Sequence, residues 1–144
     1  MAIYDHPIEL VIWDMDEAFW SGTITAGPVQ LIPSHVHFLK ELTALGVKNS
    51  ICSKNYFGTV QAELARLGVW DYFVAPSINW DDKGARIAEI LAETGIKAEN
   101  AIFIDDLIEN IEDAHLHNPG IHTLQAGVDD IDSALQEVIE GLKG

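Results

Sequence analysis

A chain of 144 residues with 8 Lys and Arg against 23 Asp and Glu carries a formal charge of −15, which argues against extended contact with nucleic acid, because that needs clustered basic side chains to displace phosphate counterions. With 48% hydrophobic and 22% charged residues, the composition suits a globular protein with one core, and no stretch approaches the roughly 20 apolar residues that span a bilayer. One cysteine, Cys52, cannot form an internal disulfide framework, and no basic flank or cleavage site of a secretory signal precedes the first apolar run. The expectation is a single cytoplasmic domain over 1–144.

Apolar runs at 8–13, 47–52, 72–75, 101–104 and 121–124 alternate with helix-periodic segments at 34–45, 57–67, 84–94, 107–117 and 130–142. Short strand-like runs that each lead into a helix predict an α/β fold. The expected form is a Rossmann-like, parallel five-stranded sheet with right-handed crossovers, helices on both faces and no large cap domain. Ser34 is the expected cap of the first helix, and Gly46, Gly68 and Gly95 stand where the first three helices should stop.

Between the first strand and first helix, residues 17–33 break the alternation. Ser21 to Thr25 and Val29 to Ile32 flank Ala26-Gly27-Pro28, the pattern of a small β-hairpin flap placed to hang over whatever follows the first strand. Trp20 falls at its base, where it either lines a substrate pocket or anchors the hairpin.

Four polar stretches fall at predicted strand ends: Asp14-Met15-Asp16, Cys52-Ser53-Lys54-Asn55, Asn79 to Lys83, and Asp105-Asp106. The carboxyl edge of an open α/β sheet is where ligands bind. Two carboxylates one residue apart can divide labour: Asp14 as a nucleophile toward phosphorus, and Asp16 as the acid that protonates the leaving oxygen and the base that activates water. Hard cations prefer such oxygens, so the expected Mg²⁺ site comprises Asp14, Asp16 through its backbone carbonyl, Asp105 and the adjoining Asp106. The competing assignment for Asp105 and Asp106 is a cap for the helix that follows, a role open to Asp106 alongside metal binding. Ser53 and Lys54 are placed to bind phosphoryl oxygens, and Lys83 to balance the charge of phosphoryl group and nucleophile.

That ordered set resembles the haloacid dehalogenase superfamily over nearly the whole chain. Asp14-Met15-Asp16-Glu17-Ala18-Phe19-Trp20 is most similar to the D-x-D-x-T-L-W motif of subfamily IIIC, which includes small magnesium-dependent phosphatases and FkbH-like domains. Ile51 to Asn55, Asn79-Trp80 ahead of Lys83, and Phe103 to Asp106 look FkbH-like. The resemblance implies an aspartyl-phosphate intermediate and Mg²⁺, with Asp14, Asp16, Ser53, Lys83 and Asp105 in the roles given above. Ala18 stands where the pattern has Thr, and Glu17 where FkbH-like sequences often have Asn. The first loses a hydroxyl that orders the loop, and the second adds a carboxylate near an anionic substrate.

The leading functional expectation is a phosphomonoester phosphatase acting on a small phosphorylated substrate. FkbH-like proteins are associated with glyceryl transfer to a carrier-protein thiol, which makes transfer an alternative. A weakened phospho-ligand-binding regulatory module is another. Strand alternation turns Cys52 away from Ser53 and into the core, against a thiol mechanism. His35 with His37 and His115 with His117 sit at i, i+2, a poor spacing for a helical metal pair.

Overall fold

The computed structural model describes residues 4–144. Five parallel strands form the main sheet in the order β5-β4-β1-β6-β7. They are β1 Leu10–Trp13, β4 Lys48–Lys54, β5 Ser77–Asn79, β6 Ala101–Asp105 and β7 His122–Gln125. The central strand, Leu-Val-Ile-Trp, is buried at every position, as expected of a parallel strand covered on both faces. It pairs Trp13 with Ile51 of β4 and with Ile104 of β6. The chain runs outward from β1 to β5, then crosses back to β6 on the other side of β1, so the ends of β1 and β6 flank the point where strand order reverses.

The period of two along each strand sorts the core into two layers. Val11, Trp13, Ile51 and Ile104 face a layer closed by Leu39 and Leu42 of α1 (Pro33–Ala44), Val60 and Leu64 of α2 (Phe57–Arg66), and Leu135 and Ile139 of α5 (Ile131–Lys143). Leu10, Ile12, Cys52 and Phe103 face the other layer, closed by Ile87 and Ile90 of α3 (Lys83–Thr94) and Ile111 and Ala114 of α4 (Ile108–His117). Each fully buried aliphatic side chain contributes about 1.5–3 kcal/mol, so both sheet faces are driven shut and only the strand ends remain for polar chemistry. No helix among the described residues is long and apolar enough to cross a membrane.

Two local expectations require correction. The apolar run at 72–75 is not a strand. Trp70–Tyr72 forms a 3₁₀ turn, Phe73 makes a single parallel bridge to Asn49, and the edge strand is Ser77–Asn79. Phe73 is apolar because it is buried against Phe19, with ring centroids 5.5 Å apart. The ladder then breaks at Ala75, whose φ of 49° is left-handed, and at Pro76, which has no N–H to donate. Ser34 does not cap α1. Ile32 holds the cap position, Pro33 opens the helix, and the Ser34 hydroxyl donates instead to Asp132 Oδ1 at 3.0 Å. Proline's fixed φ and missing donor make it a good first helical residue. Gly46, Gly68 and Gly95 do leave their helices in the left-handed region, at φ of 89°, 77° and 71°.

The hairpin between β1 and α1 is present but small. Trp20–Ser21 (β2) and Gln30–Leu31 (β3) pair antiparallel through Trp20↔Leu31 and Ser21↔Gln30. Before it, Met15–Phe19 makes one wide π-type turn closed by Phe19 N–H donating to Asp14 O at 3.0 Å.

Candidate active site

Asp14 leaves β1 with its N–H still donating to Ile104 O of β6 at 2.9 Å, so the sheet ladder itself fixes its position beside Asp105. Lys83, the first residue of α3, is 2% exposed and reaches both carboxylates: its Nζ lies 2.9 Å from Asp14 Oδ1 and 2.6 Å from Asp105 Oδ2. Asp105 is further held by the Leu107 N–H at 2.9 Å to Oδ1 and by Asn110 Nδ2, 3.2 Å from each carboxylate oxygen. Asp105, not Asp106, therefore receives the N–H at the cap position of α4, and Asp106 is left free to face Asp14.

The start of α3 is itself clamped. Gly84 N–H donates to Asp113 Oδ2 at 2.7 Å, and Gly84 O accepts from Asn118 Nδ2 at 2.9 Å. A β-carbon at Gly84 would fall 2.3 Å from His117 Nδ1 and 2.5 Å from Asp113 O. Only glycine lets α4 approach closely enough to seat Lys83.

Asp16 is oriented by a different group of donors. Its Oδ1 accepts from Trp20 Nε1 at 2.9 Å and from Ile24 N–H at 3.0 Å, and its Oδ2 from Asn55 Nδ2 at 2.8 Å. The carboxylate is thus tied to the flap and to the residue that follows β4. Glu17 adopts φ 57° and clasps Gly22: the Gly22 N–H donates to Glu17 Oε1 at 2.6 Å, and the Glu17 N–H to Gly22 O at 3.2 Å. A non-glycine residue in that region is strained, and the two bonds hold it there.

The sequence-predicted residues line one crevice with three exceptions, Trp20, Ser53 and Asp105, of which Asp105 is fully buried behind Lys83 and Asn110. Asp14, Asp16, Lys54, Lys83 and Asp106 line one crevice of about 210 Å³, with Glu17 and Thr23 on the flap side and Leu107 and Asn110 on the α4 side. Lys54 Nζ lies 3.4 Å from Asp82 Oδ1 at its rim. Trp20 is fully buried and joins the core cluster, so it anchors the hairpin and orients Asp16 rather than lining the crevice. Ser53 is also buried and is not among the lining residues. Its carbonyl accepts from Arg86 Nη2 at 2.8 Å.

Sequence reasoning placed Asn55 in a motif without giving it a role and passed over Asn110 and Arg86. Arg86, 4% exposed, spends its whole guanidinium on neutral acceptors: Ser53 O, Ser77 O and Oγ, Asn79 O and Asp81 O, at 2.7–3.3 Å. It stitches the ends of β4 and β5 to the loop carrying Trp80. A basic residue at an otherwise apolar position of α3 was the available signal. Among the described residues the histidines form no metal cluster. His35 is buried, with Nδ1–H donating to Phe19 O at 3.3 Å, and burial lowers its pKa below the usual value.

The electrostatics follow from one ammonium facing three carboxylates. Asp14, Asp105 and Asp106 each offer an oxygen, all within 4.8 Å of one another. Burial, reinforced by Asp105 and Asp106, pushes the Asp14 carboxyl up to about 7 against the opposing pull of Lys83. Burial alone would lower the Lys83 pKa, but Asp14 and Asp105 outweigh it and hold the ammonium charged. Asp106 is raised by burial and by Asp105. When all three are ionised, three carboxylates against one ammonium leave two negative charges uncompensated. An oxygen-only donor set with that deficit fits a hard dication such as Mg²⁺.

A family model described as haloacid dehalogenase-like hydrolase matches residues 11–126. No curated protein matches the chain. Among solved structures, the N-terminal part of BF1531 from Bacteroides fragilis, containing a phosphatase domain and complexed with Mg, is 20% identical at a TM-score of 0.78, covering 96% of this chain and 40% of that one. The cobalt-bound deoxy-D-mannose-octulosonate 8-phosphate phosphatase from Haemophilus influenzae is 16% identical at a TM-score of 0.65, covering 94% of this chain and 86% of that one. A HAD-superfamily hydrolase from Geobacter sulfurreducens is 13% identical at 0.73, covering 99% and 100%. At these identities the likeness establishes the fold. The chain spans well under half the length of the Bacteroides structure.

Proposed function

We propose that this chain, which belongs to the haloacid dehalogenase-like hydrolase family, is a Mg²⁺-dependent phosphatase that hydrolyses a phosphomonoester through an aspartyl-phosphate on Asp14. The observation that carries the reading is Lys83 Nζ bridging Asp14 and Asp105 at 2.9 and 2.6 Å, beside Asp106, at the carboxyl edge of the sheet. Within the family we read the chain as a subfamily IIIC member with FkbH-like motifs, on Asp14 to Trp20 and Phe103 to Asp106.

Asp14, Asp105 and Asp106, with the backbone carbonyl of Asp16, are the ligands we assign to Mg²⁺. When bound, the ion offsets negative charge on the phosphoryl group and its nucleophile. A carboxylate oxygen of Asp14 attacks phosphorus, the bond from phosphorus to the leaving oxygen breaks, and protonated Asp16 passes its proton to that oxygen. Asp16, now a carboxylate, then takes a proton from water. The water oxygen attacks phosphorus, the Asp14–phosphorus bond breaks, and inorganic phosphate departs. Lys83 keeps Asp14 aimed, Lys54 binds phosphoryl oxygens, and Trp20 and Asn55 hold Asp16 in place.

Acyl transfer through Cys52 is opposed by its surroundings. The thiol is fully buried in the core layer of Leu10, Ile87 and Phe103, and burial pushes its pKa up to about 11, so it is neither accessible nor a thiolate. The test is phosphate release from a panel of small phosphomonoesters with and without Mg²⁺, alongside Asp14→Asn and Asp16→Asn. Asp16→Asn should still form phospho-enzyme from an activated ester and Asp14→Asn none. A phospho-adduct on Asp14→Asn sinks the assignment.

A further inference from the structure

Two of the most exposed aromatic side chains stand together on the segments that follow the ends of β4 and β5. Tyr56 is 60% exposed and Trp80 55%, with ring centroids 5.2 Å apart and planes at 70°. Neither is needed to close the core, and large exposed aromatics in contact with each other mark a binding surface more often than a tolerated accident. The pair is wired to the chemistry by short steps. Tyr56 N–H donates to Asn55 Oδ1 at 3.1 Å, and Asn55 Nδ2 donates to Asp16 Oδ2 at 2.8 Å. Trp80 sits in the loop that Arg86 pins through Asn79 O and Asp81 O, two residues before Asp82, the partner of Lys54.

The side of the crevice matters. In the mechanism above, Asp16 protonates the leaving oxygen, so the departing group lies on Asp16's side. Asp16 is held there by Asn55, the residue that precedes Tyr56. On the far side of β1, Leu107 adds another exposed apolar side chain, 52% exposed, to the crevice wall. The charges around the mouth are mainly acidic: Glu17 and Asp106 line it, and Asp82 already faces Lys54. An anionic leaving group is repelled there, whereas a neutral flat one finds an exposed edge-to-face aromatic pair.

We infer that Tyr56 and Trp80 form a platform for the leaving group, and that the substrate is a phosphomonoester of a neutral, aromatic or flat apolar alcohol rather than a sugar phosphate. This rests on the phosphomonoesterase reading for its orientation, so its test uses binding, which needs no turnover. The probes are (2-naphthylmethyl)phosphonate and methylphosphonate, titrated with Mg²⁺ while the indole N–H resonance of Trp80, identified by its loss in Trp80→Ala, is followed by NMR.

The naphthylmethyl compound should bind about tenfold more tightly than the methyl compound, within the range aromatic stacking supplies, and should shift the Trp80 resonance. The preference should collapse to within about twofold in Tyr56→Ala and Trp80→Ala and largely survive in Trp80→Phe, with unchanged melting temperatures because both side chains are exposed. Equal binding of the two probes, binding of neither, an unshifted Trp80 resonance, or a preference that persists in both alanine variants overturns the platform. The phosphatase reading is judged separately, by Mg²⁺-dependent phosphate release from naphthylmethyl phosphate and glycerol phosphate. A naphthyl preference without release from any ester leaves the platform standing and removes the phosphatase.

Discussion

Lys83 and Arg86 lie one helical turn apart on α3 and are both almost fully buried, yet they serve opposite ends. Lys83 is paired with charge, in Asp14 and Asp105, with the Phe103 ring 5.8 Å from its Nζ. Arg86 meets only neutral oxygens, in Ser53, Ser77, Asn79 and Asp81. A compact ammonium suits a place where charge must be balanced within a few ångströms, while a planar fork with five N–H groups suits one that must tie several carbonyls at once. The region around Lys83 therefore suits the proposed chemistry, and the region around Arg86 holds the loops that surround it.

The largest effect should come from breaking the charged region. Lys83→Met leaves Asp14 and Asp105 buried without their cation, and turnover should fall by about 10³-fold or more, on the scale of losing a preorganised electrostatic partner. Steady-state rates at saturating Mg²⁺ measure it. A loss under tenfold would show that Lys83 is only structural.

Breaking the neutral region should be felt in stability first. Arg86→Ala removes the partner of several buried carbonyls and should cost about 3 kcal/mol in urea unfolding, with a smaller fall in kcat than Lys83→Met gives. Arg86→Lys should recover less than half of the stability, because a point ammonium cannot span the same acceptors.

Titration separates the regions further. Folded Asp14 titrates near 7, against 3.8 for the unstructured carboxyl, so between those values the folded state binds more protons than the unfolded state. The metal-free protein should lose this contribution to stability as pH rises from about 4 through 7, and Asp14→Asn should abolish that component. His35 acts in the opposite sense: its lowered pKa costs stability as pH falls below 6.5, and subtracting the Asp14→Asn profile isolates the aspartate. Mg²⁺ should raise the melting temperature most at neutral pH, and Asp105→Ala should remove most of that rise.

The smallest effect tests the ground between the two cations. The Cys52 thiol feels Arg86 more than Lys83, and both only weakly against its burial. Cys52→Ala should retain phosphate release and lose about 1 kcal/mol of stability from lost core volume. A folded variant without turnover, together with rapid alkylation of the native thiol, would revive acyl transfer.

Much of this architecture was readable because burial and position coincide in short segments. Leu10 to Trp13 followed by Asp14, and Ala101 to Ile104 followed by Asp105, each state in one run that a covered strand ends in a carboxylate. The five helices followed from their apolar period in the same way. The edge strand was illegible because Ser77–Asn79 is three residues long and only partly buried, whereas the apolar run just before it owes its burial to Phe19 and not to a ladder.

The partners of Asp16, Asp105 and Gly84 divide along the same line. Trp20 to Asp16 and Asn110 to Asp105 are local, within five residues. Asn55 to Asp16 and Asp113 to Gly84 join residues 39 and 29 apart. The local sequence determined four of the five sheet strands, the helices and the carboxylates at the sheet edge, because periodicity and strand ends act over a few residues. Tertiary structure alone decided that Asn55 holds Asp16 and how closely α4 approaches Lys83, because a side-chain hydrogen bond depends on the distance between atoms and not on their separation along the chain.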